Sequence, residues 1–179
     1  AIFLMYNLEC WYLVICHHFF MNQGKRDPEF INYCEEFFLY PVNLKAAGLR
    51  ALVIGGGHVA LRKVKKLIAE GADVTILAPE VVSDIEALSE AKKVHWEKHL
   101  FRGDDLSSYG LIVTACGVRK VAEAVQQASK ESHFLYNAAD FPSLGNCSLP
   151  AAFEAGGIQI PVSTNGRSPG LARFMIVWL

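Results

Sequence analysis

Three adjacent glycines and a distant aspartate are the residues with the clearest chemical potential in this 179-residue chain. The glycines, 55 to 57, follow the apolar run Ala51-Leu52-Val53-Ile54 and precede the helix-like "HVALRKVKKL". Gly55-x-Gly57-x-x-Ala60 fits the turn on which a dinucleotide pyrophosphate rests. Gly55 permits the tight turn. Gly57 lets the backbone approach the phosphates without a Cβ in the way, and Ala60 lets the helix pack closely on a sheet. The helix N-terminus adds unpaired N–H groups and the positive end of its dipole. Such a turn supplies a hydride acceptor but does not say what is oxidised. The aspartate is Asp140, directly after the apolar run "FLYNAA" and the only acid between Glu131 and Glu154. Ligands of open parallel sheets sit at the carboxyl ends of the strands, which brings residues 137–151 beside the dinucleotide. Asp140 there reads as a general base or a group that orients a proton; a helix cap or turn former is the structural alternative.

The cofactor type depends on the second strand. NAD-type folds carry an Asp or Glu at its end, for the ribose hydroxyls. Here the strand ends Ala78-Pro79-Glu80, so the acid arrives two residues late. Glu80 reads either as the ribose ligand or as an acid that complements the dipole of the next helix. No Arg lies between Arg62 and Arg102, and Lys92-Lys93 are far along that helix. Nothing waits for a 2′-phosphate, and NAD is favoured over NADP. Arg62 and Lys63 read as the solvated face of the first helix.

The elements that must position these residues follow a βαβ alternation. Apolar strands are expected over 49–54, 73–78, 94–101, 110–116 and 134–140, with a short leading strand over "YPVNL", 40–44. Helices are expected over about 58–70, 83–91 and 118–132. In the first, Val59, Val64, Leu67 and Ile68 keep helical spacing and Gly71 ends it; Ser83 is the expected N-cap of the second. This predicts an α/β, Rossmann-type parallel sheet with helices on both faces and right-handed crossovers. Past Pro150 the pattern changes. "IQIPVST" alternates like a strand, and "NGRSPGLARFM" is a glycine-rich turn with Ser168 and Pro169 opening a helix.

Composition narrows the partners. The chain is 52% hydrophobic with a net charge of -1, so it can bury a core and carries no basic excess for nucleic acid. The five cysteines (10, 16, 34, 116 and 147) are odd in number and show no C-x-x-C spacing. Reduced, core-type cysteines in a cytoplasmic protein fit best, without a disulfide framework or structural zinc. His95 and His99 read as surface strand residues, His133 as no ligand, and no metal ligand set is expected. Residues 1–21 contain no Lys or Arg, and Asn7, Glu9, His17 and His18 interrupt their apolar run. They read as an extension foreign to the domain, with an extra packed helix or a membrane anchor as the alternatives, and show no signal-peptide features.

Four blocks together carry a more specific resemblance. "YPVNLKAAGLRALVIGGGHVALRKVKKL", "NAADFP", "LPAAFEAGG" and "IPVSTNGRSPGLAR" are similar, in order over about 40–173, to the precorrin-2 dehydrogenase / sirohydrochlorin ferrochelatase family, the N-terminal domain of siroheme synthase. The resemblance implies NAD⁺-dependent oxidation of precorrin-2 to sirohydrochlorin, with Fe²⁺ insertion in some members. It implies catalysis by Asp140. Cofactor contacts carry over to Gly55, Gly57, His58, Val59, Pro79 and Glu80. The carboxylates of the tetrapyrrole need cations and backbone donors, which points to Ser163, Thr164, Asn165 and Arg167, with Arg173 nearby; an exposed turn and helix is the alternative. The family is homodimeric through a helical region after "SPGLAR", whereas this chain ends at "FMIVWL". The expected organisation is an extension over 1–37 outside the resemblance, an NAD-binding domain over 38–150, and the start of a truncated dimerisation and substrate segment over 151–179. The competing reading is a non-catalytic NAD-sensing module, which needs the glycine turn but neither Asp140 nor "STNGRSPGLAR".

Overall fold

The computed structural model describes residues 39–164 and 169–178. The extension expected over 1–37 lies outside them. Five strands, β1 (Arg50–Ile54), β2 (Asp73–Leu77), β3 (His95–Glu97), β4 (Leu111–Thr114) and β5 (Leu135–Ala138), form a parallel sheet in the order β3-β2-β1-β4-β5. β1 is central, with Ala51 opposite both Val74 and Leu111. Three helices cross between strands: α1 (His58–Ala69), α2 (Ser83–Glu90) and α3 (Arg119–Ser132).

The period of two along β1 divides the core. Ala51 and Val53 pack with Ala60, Leu61, Val64 and Leu67 of α1 and Ile85 of α2. Leu52 and Ile54 pack on the opposite face with Val125 of α3, Leu106 and Tyr136. Both faces are therefore covered, which is why the strands read as continuous apolar runs rather than alternating ones. The innermost positions of α1 are Ala60, Leu61, Val64 and Leu67; the expected Val59 and Ile68 are only half-buried. Gly71 ends this helix in the left-handed conformation (φ +81°). Its N–H donates to Ile68 O and that of Ala72 to Leu67 O, both at 3.0 Å, a Schellman pair.

Several expectations are corrected. Residues 40–44 form no strand: Tyr40 and Val42 are 88% and 70% exposed, with no partner backbone among the described residues. Ser83 is the first helical residue rather than the cap, and no side chain caps α2; Val82 precedes the helix, and its carbonyl accepts from Ile85 and Glu86. The third strand shortens to three residues. After it, 98–110 crosses to β4 without a helix, held by Asp104 and Asp105 side chains that accept from the Arg102 and Ser107 amides. Lys63 does not belong to a solvated face. It is half-buried, and its Nζ donates to Leu149 O at 3.4 Å.

Beyond the sheet, β6 (Ala151–Ala155) and β7 (Ile158–Val162) make an antiparallel hairpin, followed by α4 (Pro169–Trp178). The sequence reading missed β6. Its partner and turn settle it: Gly156 and Gly157 both have positive φ, as a two-residue hairpin turn with right-handed strand twist requires. Lys66 of α1 pairs with Glu154 of β6 at 3.4 Å. The outer edge of β5 is closed by the chain returning beside it. Asn146 and Cys147 N–H donate to Tyr136 O, and the Asn146 side chain accepts from Tyr136 N–H at 2.7 Å and donates to Phe134 O. A sheet edge is thereby covered rather than left to pair with another chain.

That return also packs the half-buried Cys147 against the α1 face of the core. Burial pushes its thiol up to about 11, with the Lys63 ammonium opposing. A raised thiol pKa keeps the protonated, unreactive form at pH 8. Relative to the ordinary value of 9.0, alkylation of Cys147 by iodoacetamide at pH 8 is expected to slow about a hundredfold on folding. Peptide-resolved mass spectrometry with and without denaturant checks this; equal rates would remove the buried-thiol assignment.

Candidate functional site

The chain leaves β1 towards β2 on one side and β4 towards β5 on the other. The carboxyl ends of β1 and β4 are therefore a topological switch point, where α/β sheets hold ligands. The glycine turn occupies it, and its three glycines have three different surroundings. Gly55 has φ +129°, and a Cβ there would collide with the Ala115 carbonyl after β4. Gly56 needs no unusual φ, but its Cβ would strike the Glu80 carbonyl oxygen and come within 2.9 Å of Val81 Cα. Gly57 meets nothing within 4 Å. It precedes α1 with an ordinary extended backbone (φ -86°, ψ -174°) and has no side-chain cap.

This arrangement fits a dinucleotide pyrophosphate. The first α1 backbone bond from beyond the turn is Leu61 N–H to Gly57 O, 2.9 Å. The N–H groups of His58, Val59 and Ala60 precede it, and no acid stands in the first turn to compete for them. His58 is exposed and Val59 half-buried.

The end of β2 explains the late acid. Ala78, where the ribose-binding carboxylate would stand, is 3% exposed and packs in the α1-side core. Its carbonyl accepts from Trp96 Nε1–H at 2.9 Å. An ionised side chain there would be desolvated. Pro79 and Glu80 are the first exposed residues after it. Close by, Lys65 and Asp84 form a 2.7 Å ion pair, and this bonded ammonium holds the Asp84 carboxyl below its usual range.

Asp140 lies just past β5, exposed, with Oδ2 accepting from Gly117 N–H at 2.7 Å. Gly117 itself is left-handed (φ +68°). Among the described residues no hydrogen bond holds Oδ1, so one of the two carboxylate oxygens is fixed and the residue stays exposed. Beneath them, Tyr136 Oη donates to Ala122 O at 3.1 Å and accepts from Thr114 Oγ1 at 2.9 Å. These bonds fix the first turn of α3 to the ends of β4 and β5. Burial above all raises the Tyr136 pKa, against the Thr114 hydrogen bond; Cys116 and Asp140 add to the rise.

The glycine turn, Glu80 and Asp140 are thus linked by backbone contacts: Glu80 over Gly56, Gly55 over Ala115, then Gly117 bound to Asp140. Gly56 and Gly117 were missed from sequence. The middle position of a glycine triplet was the available signal for Gly56; Gly117 had only its place after an apolar strand. Ser163 is exposed and Thr164 half-buried, directly after β7, in a separate two-stranded sheet. Asn165 and Arg167 lie outside the described residues. Arg173 is exposed on α4. His95 and His99 flank the Glu97 carboxylate at 3.7 and 3.4 Å. No group of three His, Cys, Asp or Glu among the described residues is placed to hold a metal, and no helix among them is long and apolar enough to cross a membrane.

Fold and turn together define a nicotinamide-dinucleotide-binding α/β protein. A family model described as NAD(P)-binding matches residues 42–151. The precorrin-2 dehydrogenase of Bacillus subtilis is 30% identical over 131 residues, 73% of this chain and 80% of that protein. That of Priestia megaterium is 33% identical over 135 residues, 75% of this chain and 66% of the relative. The siroheme synthase of Methylococcus capsulatus is 34% identical over 133 residues, but this chain spans only 28% of its length. A solved structure, SirC, a precorrin-2 dehydrogenase, superposes with a TM-score of 0.65 at 30% identity, covering 76% of this chain and 67% of that one. The chain belongs to the precorrin-2 dehydrogenase / siroheme synthase family.

The three glycine environments predict different alanine phenotypes. Gly55→Ala combines a positive φ with a collision and is expected to lose about 1–3 kcal/mol of stability, read by denaturant titration. Gly57→Ala is expected to unfold within about 0.5 kcal/mol of wild type, yet to bind NAD⁺ at least about tenfold more weakly, the size of one lost hydrogen bond to a charged group. Undiminished NAD⁺ affinity in Gly57→Ala would place the pyrophosphate elsewhere.

Proposed function

We propose that this chain oxidises precorrin-2 to sirohydrochlorin with NAD⁺, the dehydrogenase step of siroheme formation. The observation that carries the reading is the Asp140 carboxylate, clamped through Oδ2 by Gly117 at the carboxyl end of the sheet, in a chain of this family. Oxidation of the macrocycle removes a hydride and a proton. NAD⁺ held on the turn would supply the acceptor for that hydride. Asp140 supplies the base: Gly117 fixes the carboxylate by one oxygen, and Oδ1 takes the proton. The α1 N-terminus, Gly57, His58 and Val59 hold the pyrophosphate, while Pro79 and Glu80 border the ribose. With Ala78 in the core and Lys65 of α1 tied to Asp84, an unmodified 2′-hydroxyl suits the site better than a 2′-phosphate.

The substrate is a polycarboxylate, and Ser163, Thr164, Asn165, Arg167 and Arg173 are the proposed partners for its carboxylates. The domain division at 150/151, a homodimer as the assembled form and a cytoplasmic setting belong to the same reading. Fe²⁺ is a second substrate in the ferrochelatase extension of this function, where Asp140 would take protons from the pyrrole nitrogens. A purely NAD-sensing module would have no use for a clamped carboxylate with one oxygen open.

The test is direct. Precorrin-2 and NAD⁺ are supplied, and NADH and sirohydrochlorin absorbance followed. Absence of turnover by the dimeric protein would sink the dehydrogenase assignment. Asp140→Asn retains an oxygen for Gly117 N–H but cannot accept a proton. It is expected to bind NAD⁺ as wild type does and to lose about 10²–10⁴-fold in kcat. Wild-type rates would remove Asp140 from the mechanism. Co²⁺ or Fe²⁺ insertion into sirohydrochlorin above the uncatalysed rate tests the chelatase extension.

A further inference from the structure

Gly56, the middle glycine, has no place in the G-x-G-x-x-A pattern and no positive φ to require it. What requires a glycine is the loop that crosses it. The Glu80 carbonyl and Val81 Cα lie where a Cβ would be, and Val82 N–H donates to Gly56 O at 2.9 Å. The loop from β2 to α2 is therefore clasped onto the glycine turn at three successive residues. Strand geometry alone would offer position 78 to the ribose, but Ala78 is in the core. The clasp holds Glu80, the first acidic residue after β2, against the turn through its backbone carbonyl.

We propose that Gly56 is the positioning residue for dinucleotide selectivity: it admits the β2–α2 loop onto the glycine turn, so that Glu80 meets the ribose 2′-hydroxyl and repels a 2′-phosphate. This rests on the NAD reading above. The charges nearby favour the same outcome. Loop residues 79–82 contain no cation, the first turn of α2 carries Asp84 and Glu86, and Lys65 is already bonded to Asp84. A carboxylate accepting ribose hydroxyl hydrogen bonds gains affinity for NAD⁺, while a phosphate in the same place meets like charge.

Two substitutions break the clasp by different means. Gly56→Ala puts a methyl group under the Glu80 carbonyl. Val82→Pro replaces the N–H by a ring carbon that faces Gly56 O, so it breaks the same hydrogen bond from the loop side, at a residue that already has the proline backbone angle (φ -66°). Dissociation constants for NAD⁺ and NADP⁺ are measured by titration calorimetry on the full chain, without substrate. The NAD⁺/NADP⁺ affinity ratio is expected to fall about tenfold in each variant and in Glu80→Gln, chiefly through weaker NAD⁺ binding. A loss of fold alone would weaken both dinucleotides alike. Unchanged ratios in Gly56→Ala and Val82→Pro, or equal weakening of both dinucleotides, overturn the clasp even where wild type prefers NAD⁺. A ratio unchanged in Glu80→Gln overturns the role given to that carboxylate. No preference for NAD⁺ in wild type overturns the NAD reading itself, a different result from either. Should Gly56→Ala fail to fold, Val82→Pro decides.

Discussion

The close approach of two backbone turns is the constraint on which the site depends. Gly55 lies against the Ala115 carbonyl with no room for a side chain between them. β1 and β4 are neighbours through regular parallel pairing, and Ala115 N–H continues that ladder by donating to Ile54 O at 2.8 Å. At the next residue the chains diverge, one to α1 and the other to α3. Any side chain at 55 would wedge the two exits apart. With hydrogen there, the phosphate-binding turn and the loop carrying Gly117 share one rigid wall. The sheet core stabilises that wall: Val53, Ile112 and Val113 are fully buried beneath it.

The rest of the site is a series of attachments to this wall. On one side the β2–α2 loop is hydrogen-bonded to Gly56. On the other, Gly117 bonds Asp140. The attachments differ in kind. The first is steric with a neutral hydrogen bond, and it sets where a loop lies. The second is a short bond to a carboxylate, stronger and directional, and it sets where the Asp140 carboxylate lies. A dinucleotide needs a shaped backbone surface; a proton acceptor needs one atom in one place. The fold supplies each with the interaction suited to it.

This division explains what could be read from sequence. The five strands, their helices and both core faces were legible because burial on two sides of a parallel sheet leaves long apolar runs, and helices leave a 3.6-residue period. The glycine turn was legible because few other residues permit its backbone. Asp140 stood out as a lone acid after a buried strand. The strand at 40–44 was misread because alternation cannot report whether a partner exists, and β6 was missed because its pairing lies in β7. Lys63 looked solvated because helical periodicity says nothing of the segment that returns over α1. The clasp at Gly56 was hidden for the same reason: its other half is twenty-four residues away, in a loop with no periodic pattern.

Asp140 shows how a loop residue reaches the precision expected of an element. Its loop leaves β5 at Ala138 and is captured again at Asn146, which bonds Tyr136 with both its backbone and its side chain. Between these points a single turn, Pro142–Leu144, takes up the slack, with Leu144 N–H bonded to Phe141 O at 2.9 Å. Ala139 N–H continues the β5 ladder to Thr114 O. So the carboxylate sits one residue beyond the sheet, its loop tied at both ends, with Gly117 fixing the side chain across the gap. The conformational freedom of that carboxylate is thus lost on folding. On the proposed assignment of Asp140 as the base, this is what would let the acid at 140, and not one elsewhere on the exposed surface, take a proton from a bound macrocycle.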